Sequence, residues 1–276
     1  MKEFFFDTAN VDYIRSAWKK LEGKVDPKLV RGITTNPNAF FKLNKLSLNE
    51  WLDTLPELCK VVSEIRGDDK GVVYVQGPNS NMTPVQQMKY ANLVSNYSDG
   101  QTKIGLKIPP YHEILEIVED LNEIVDTNVT GVSDVCTALK CLSYPLNFMS
   151  IIPGRMEEAG IDAQAQIAFM NQRNMKLEKR EIITGSMRTL EGLTWVFQIG
   201  TVPTIGERVW NLIFEGDNLD KILNIDYSLG WKNKHFSPEI TNVNNKLSED
   251  FFVQMDECGK VAYADFLKWN HGKISE

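Results

Sequence analysis

The sequence contains no apolar run approaching the roughly 20 residues that a membrane-spanning helix needs, so no membrane segment is expected. Its start, Met1-Lys2-Glu3 followed by Phe4-Phe5-Phe6 and Asp7, lacks the apolar stretch and cleavage site of a secretory signal. Cysteine is scarce: Cys59, Cys136, Cys141 and Cys258 show no paired ligand spacing, which argues against a structural metal site, and a chain of this length needs no disulfide framework. Reduced thiols and a cytoplasmic location are the simpler expectation. There is no basic stripe interleaved with aromatic residues, and the patch from Lys176 to Arg180 is short and includes Glu178. With a formal charge of -7 the chain is a poor polyanion binder, and no nucleic-acid partner is expected. A few arginines converging in a cleft could still hold a single phosphate. The first strand-to-helix turn has no glycine-rich dinucleotide fingerprint and no loop has the Walker spacing. Nothing is repeated beyond the alternation described next, and no segment is of low complexity.

What the sequence does have is 276 residues, 42% of them hydrophobic, enough for a sizeable core. Apolar strands alternate with helices of 3.6-residue period. Strands are expected at 3–8, 29–34, 71–76, 103–108, 124–130, 147–152, 181–185 and 199–203. Helices are expected at 11–22 (capped by Asn10), 47–65, from Thr83 to 97, and at 111–122, 133–142, 161–171, 189–197 and 204–214. Short, continuously apolar strands suit burial on both faces. The expected fold is therefore a single (β/α)8 barrel domain over residues 1–276, with an open doubly wound sheet as the alternative. A polar, weakly periodic stretch at 215–248 reads as an insertion, and 249–269 as a closing helix with a break near Gly259.

Chemistry in such a barrel gathers at the carboxyl ends of the strands. In Lys103-Ile104-Gly105-Leu106-Lys107-Ile108-Pro109-Pro110 the two prolines end a strand just beyond a lysine flanked by apolar residues. A lysine desolvated at a strand mouth has a depressed pKa and can attack a carbonyl as the neutral amine. The other strand ends supply Asp7, Asn36, Gln76, Thr130, Arg155, Ser186 and Arg188: a carboxylate, neutral hydrogen-bonding groups and two guanidinium groups.

Six segments, in order, carry a resemblance: Phe5-Phe6-Asp7-Thr8-Ala9, Gly32-Ile33-Thr34-Thr35-Asn36-Pro37, Leu106-Lys107-Ile108-Pro109, Thr127-Asn128-Val129-Thr130, Gly154-Arg155-Met156 and Gly185-Ser186-Met187-Arg188. Together they resemble the transaldolase family, in its shorter subgroup that includes fructose-6-phosphate aldolases and phage transaldolase-like enzymes. The resemblance implies a Schiff-base aldol reaction on sugar phosphates without metal or cofactor. By it, Lys107 is the nucleophile, Asp7 transfers protons, and Gln76 and Thr130 position a water. Thr35 and Asn36 would bind the donor, and Arg155, Ser186 and Arg188 its phosphate. It also implies a homo-oligomer, with the last helix as a contact segment. The chain departs from the family pattern where Ile151, Ile152 and Pro153 replace a proline and an aromatic before Gly154-Arg155. The resemblance implies a tyrosine at position 152 for an aldolase, whereas Gln76 matches the aldolase choice over the glutamate of many transaldolases. After Thr130, Gly131-Val132-Ser133-Asp134 replaces a more apolar run, with an extra carboxylate expected near the mouth. Transaldolase and aldolase remain alternatives at this point, as does a noncatalytic sugar-phosphate-binding barrel.

Overall fold

The computed structural model describes residues 1–38, 47–67, 69–176, 181–227 and 246–272. Parallel strands β1 (Phe4–Asp7), β2 (Val30–Thr34), β3 (Gly71–Gln76), β4 (Thr102–Ile108), β5 (Asp126–Val132), β6 (Phe148–Ile151), β7 (Glu181–Thr184) and β8 (Val202–Gly206) close into a barrel in sequence order. Around them lie α1 (Val11–Leu21), α2 (Leu48–Arg66), α3 (Pro84–Ser95), α4 (His112–Leu115), α5 (Val118–Asn122), α6 (Val135–Cys141) and α7 (Pro153–Glu158). The chain continues through α8 (Ala163–Lys176), α9 (Leu190–Ile199), α10 (Glu207–Ile213), α11 (Asn218–Leu223) and α12 (Lys246–Gly272). Local chemistry sets the helix starts. Ser47 with Glu50, and Thr83 with Gln86, form reciprocal capping boxes at α2 and α3, the latter with Pro84 in the first turn.

Strand side chains alternate between two cores. Phe4, Phe6, Val73, Val75, Ile104 and Leu106 point outward into the large core beneath the helices. Phe5, Val72, Tyr74, Ile183 and Val202 form a separate cluster inside the barrel, joined by Phe148. The Tyr74 ring meets Phe5 at 5.9 Å and Phe148 at 5.5 Å, both edge to face. Gly105 makes room for it: a Cβ there would stand 2.3 Å from the ring. This plug closes the floor with ring and branched side chains, its one polar atom the buried Tyr74 hydroxyl. By the same alternation, the next inward residues are Asp7, Gln76, Lys107 and Asn128, above the plug at the carboxyl end.

Helix α12 runs across the loops at that end. Ser248 Oγ donates to the Gly131 carbonyl (2.7 Å) and lies 2.8 Å from Ser133 Oγ. Phe251, Phe252 and Met255 pack with Ile152 and Tyr111, and Asp256 accepts from Ser80 N (2.6 Å) and Ser80 Oγ (2.7 Å). Farther on, Phe266 meets Tyr90 of α3 edge to face at 5.7 Å.

Several boundaries differ from the sequence reading, each for a local reason. The last strand lies at Val202–Gly206 rather than 199–203, and the following helix at 207–213 rather than 204–214. Gly200, in the left-handed region (φ 90°), ends α9, and Pro203 sits near the strand's start, paired with Thr184, instead of terminating it. The expected helix at 111–122 is two short ones, α4 and α5, and α7 precedes the helix expected at 161–171, which spans 163–176. The expected break near Gly259 is absent. Here α12 is continuous because the glycine admits a neighbouring backbone: a Cβ would fall 1.9 Å from the Pro78 carbonyl oxygen. Asp134, two residues past the carboxyl end of β5, is engaged in capping α6, accepting from Thr137 N (2.8 Å) and Thr137 Oγ1 (2.7 Å). Within the stretch read as irregular from 215, α11 and Ile225 pack onto the core, while 228–245 lie outside the described residues, as does most of the Lys176–Arg180 patch.

In a free helix Gly259→Ala would add about 1 kcal/mol of helix stability. Here the clash with Pro78 should instead cost roughly 1–3 kcal/mol. Thermal unfolding should show a lower Tm, with faster hydrogen exchange at 77–80 and 246–259; a raised Tm would refute this docking of α12.

Candidate functional site

Lys107 sits on β4 between Gln76 of β3 and Asn128 of β5, its register partners on the two neighbouring strands. Its neighbours in sequence, Leu106 and Ile108, face the outer core, which leaves the lysine on the barrel's inner side. The side chain is 7% exposed, and its amine Nζ donates to the Thr35 carbonyl oxygen at 3.2 Å. Burial pushes the amine below the ordinary lysine value, and the Asp7 carboxylate pulls it partly back. Asp7 ends β1, half-buried, and accepts from Thr34 Oγ1 at 2.8 Å, which fixes one carboxylate oxygen.

The Thr34-Thr35-Asn36 turn contributes in a way its side chains do not announce. Thr35 Oγ1 donates to the Tyr74 carbonyl (3.0 Å) and Thr35 N to the same oxygen (2.8 Å), so its hydroxyl is spent on the scaffold. What Thr35 presents to Lys107 is its main-chain oxygen. Asn36 follows, half-buried, just before Pro37.

Two polar atoms here are buried with no hydrogen-bond partner among the described residues: Gln76 Oε1 and Asn128 Nδ2. One accepts, the other donates, and such orphans are costly in an interior unless a ligand or water meets them. Asn128 is oriented by Ser150 Oγ, which donates to its Oδ1 at 2.8 Å. Neither Asn128 nor Ser150 was singled out from the sequence as a site residue, although strand parity marks both: Asn128 is two residues before Thr130, and Ser150 two before Ile152. Thr130 is buried at a bulge, where the β5 to β6 register slips between Val129 and Val132 and Gly131 takes φ +77°.

The second group lies at the ends of β6 and β7. Arg155, in the first turn of α7, is half-buried; its Nη2 donates to Gln254 Oε1 of α12 and its guanidinium lies 5.2 Å from the Phe251 ring centroid. Ser186 adopts φ +57°, uncommon for a residue with a Cβ and a mark of local strain. Arg188 is exposed and pairs with Glu158 at 3.2 Å. Gly154 interlocks the two loops: a Cβ there would meet the Ser186 carbonyl at 2.3 Å and Arg188 Nε at 3.0 Å. Fold and register thus gather Lys107, Asp7, Thr35, Gln76 and Asn128 into one cluster, and Arg155, Ser186 and Arg188 into another on the same face. No group of three or more His, Cys, Asp or Glu side chains suited to a metal occurs among the described residues, and no helix among them is long and apolar enough to cross a membrane.

The arrangement sets a buried amine, pushed below the ordinary lysine value, near a carboxylate, with two arginines at the neighbouring strand ends. A small aldehyde with cyanoborohydride should therefore alkylate Lys107 at a lower pH than it alkylates a free lysine side chain in a short peptide carrying the Lys103 segment. Asp7→Asn removes the charge that favours the ammonium, so the Lys107 profile should move to lower pH still. Peptide mass spectrometry reads both, and a Lys107 profile matching that of the short peptide would contradict the depressed pKa.

No family model matches the chain. Among curated proteins it is 31% identical over 214 residues to a probable transaldolase of Thermodesulfovibrio yellowstonii, covering 73% of this chain and 86% of that one. A probable transaldolase of Streptococcus agalactiae is 27% identical over 222 residues, 79% of this chain and 93% of its own. Among solved structures, a thiamine phosphate pyrophosphorylase from Pyrococcus furiosus matches with a TM-score of 0.53 at 12% identity, covering 80% of this chain and 95% of that one. That likeness speaks to the barrel alone.

Proposed function

The chain belongs to the transaldolase family, and from that premise we propose that it transfers a dihydroxyacetone unit from a ketose phosphate to an aldose phosphate through a Schiff base on Lys107. The observation that carries this reading is the buried amine, bonded to the Thr35 carbonyl, within the field of the Asp7 carboxylate and pushed below its ordinary pKa by desolvation. Fructose 6-phosphate or sedoheptulose 7-phosphate would serve as donor.

In this reading the neutral Lys107 amine adds to the C2 carbonyl, and the carbinolamine loses water to give an iminium. The iminium withdraws electrons, so the C3–C4 bond breaks as Asp7 takes the proton of the C4 hydroxyl. The bond's electron pair forms an enamine on Lys107, and the aldose phosphate departs. The enamine then attacks the carbonyl carbon of a second aldose phosphate, whose oxygen regains the proton from Asp7. Hydrolysis of the new iminium restores the amine. The orphaned Gln76 Oε1 and Asn128 Nδ2 suit the hydroxyl and oxygen atoms of such a donor. Asn36 would join them, with Thr130 and Gln76 ordering the water that relays protons. Arg155, Ser186 and Arg188 would receive the phosphate, two guanidinium groups and a hydroxyl being well matched to its oxygens.

A second reading, a fructose-6-phosphate aldolase that releases dihydroxyacetone by hydrolysis, is favoured by Gln76. Ile152 weighs against it: the side chain is buried with Phe251, Phe252 and Met255 and has no hydroxyl to order a hydrolytic water. A dry enamine favours transfer. On the same reasoning a reduced, cytoplasmic sugar-phosphate setting and a homo-oligomer fit the chain.

Fructose 6-phosphate should give transfer in the presence of erythrose 4-phosphate and slower dihydroxyacetone release without it. Lys107→Met should lower both by roughly 10³-fold or more. Borohydride should fix a three-carbon adduct to the wild type, seen by intact mass. Retained activity in the variant would remove the Schiff-base chemistry, and faster release than transfer would make the protein an aldolase.

A further inference from the structure

Phe251 and Gln254 stand one helical turn apart on α12 and both close on Arg155. The guanidinium carbon lies over the Phe251 ring, 5.2 Å from its centroid, and the Gln254 amide oxygen accepts from Nη2. A guanidinium has five donors in a planar fork, so these contacts orient the plane and leave most of its edge for an anion. The pair is held rigidly. Ser248 is bonded to Gly131 one turn before it, and Asp256 to Ser80 just after it. Arg188 is the looser of the two arginines, its side chain 42% exposed and tied to Glu158. Arg155 is thus the cation that α12 arranges.

A carboxamide can accept from Arg155 through Oε1 and donate through Nε2 without carrying charge. We propose that Gln254 is a further substrate-positioning residue, which steadies Arg155 and donates its amide N–H to the anionic end of the substrate, making α12 a determinant of preference for phosphorylated over unphosphorylated substrates. This rests on the reading that Arg155 receives the phosphate.

The test uses the full chain and the variants Gln254→Ala and Gln254→Glu. It compares KM and kcat for fructose 6-phosphate, calorimetric binding of inorganic phosphate, and borohydride trapping of unphosphorylated dihydroxyacetone on Lys107. Gln254→Glu places a carboxylate against the anion and should raise both KM and the phosphate Kd by about tenfold or more. Gln254→Ala loses one hydrogen bond to a charged group and should raise them by roughly three- to tenfold. The kcat at saturating donor and the trapping of dihydroxyacetone should stay near wild type in both. Unchanged phosphate binding in both variants, or tighter binding in Gln254→Ala, would overturn the assignment; so would loss of dihydroxyacetone trapping, which would make position 254 a support of the whole mouth. Absence of any adduct on the wild type would instead sink the Lys107 chemistry, while phosphate calorimetry still decides the role of Gln254.

Discussion

An amine taken out of water at the end of β4 is the constraint around which the rest of the mouth is arranged. Below Lys107 the barrel is filled by Phe5, Tyr74, Ile183 and Val202, so no solvent reaches the amine from the floor. To its sides stand strands whose outward residues are packed under helices. Charge on the amine is therefore opposed by burial and supported by few groups: one carbonyl oxygen and one carboxylate. Placing a lysine there sacrifices stability that an apolar side chain would keep, which is the usual mark of a position held for chemistry. The surrounding polar groups make sense in the same terms. Thr34 fixes Asp7, the Thr35 hydroxyl fixes its own turn so that its carbonyl faces the amine, and Ser150 fixes Asn128.

The same constraint makes the covering helix consequential. A barrel mouth is wet unless something lies over it, and in this chain α12 does. Its inner face seats on the loops after β3, β5 and β6 through a serine, three apolar side chains, an aspartate and a glycine. The unusual residues after Thr130 are the receiving half of that contact. Gly131 takes the left-handed conformation and lies under Phe252, where a Cβ would approach the ring to 2.6 Å. Ser133 meets Ser248. A substitution pattern that looked in the sequence like an added mouth carboxylate is instead a docking site for the helix, with Asp134 turned to capping α6.

Much of this was legible in the chain itself. Alternating apolar strands and helices gave all eight strands in order, because continuous apolar runs between turn residues have few other uses in a chain of this length. Lys107 stands out because the prolines after it stop a strand, and Asp7 and Gln76 because they end theirs, whereas β5 runs two residues past Thr130, to Val132. The parts that were not legible depend on contacts far apart in sequence. Pro203 looked like a terminator because the need for a strand partner to Thr184 is a property of the closed barrel, not of the segment. Gly259 looked like a break because nothing near it announces the Pro78 carbonyl. Asn128 and Ser150 do not stand out because a single polar residue in an apolar strand reads as a tolerated exception; only the register sets Asn128 beside the amine, and only the fold brings Ser150 to its Oδ1. Arg155 was read as one half of a phosphate clamp, and its partnership with Gln254, a hundred residues on, could come only from the fold.

On the proposed chemistry, the balance between transfer and hydrolysis follows from what faces the enamine. Release without an acceptor needs a proton delivered to the enamine carbon, through a water held by at least two polar partners, before the iminium so formed is hydrolysed. Toward the floor none can enter. At the end of β6 the mouth carries Ile152 packed with Phe251, Phe252 and Met255, a surface that offers no such partners. What remains is the wall formed by Gln76, Asn128 and Thr130, which a bound three-carbon unit would share, through its hydroxyls, with the relaying water. A donor fragment that fills its polar wall and is covered by an apolar roof leaves an incoming aldehyde as the better placed electrophile. The glutamine at position 76 pulls the other way: on the proposed chemistry its buried amide oxygen would hold the relaying water with Thr130, which is the feature that favours release by hydrolysis.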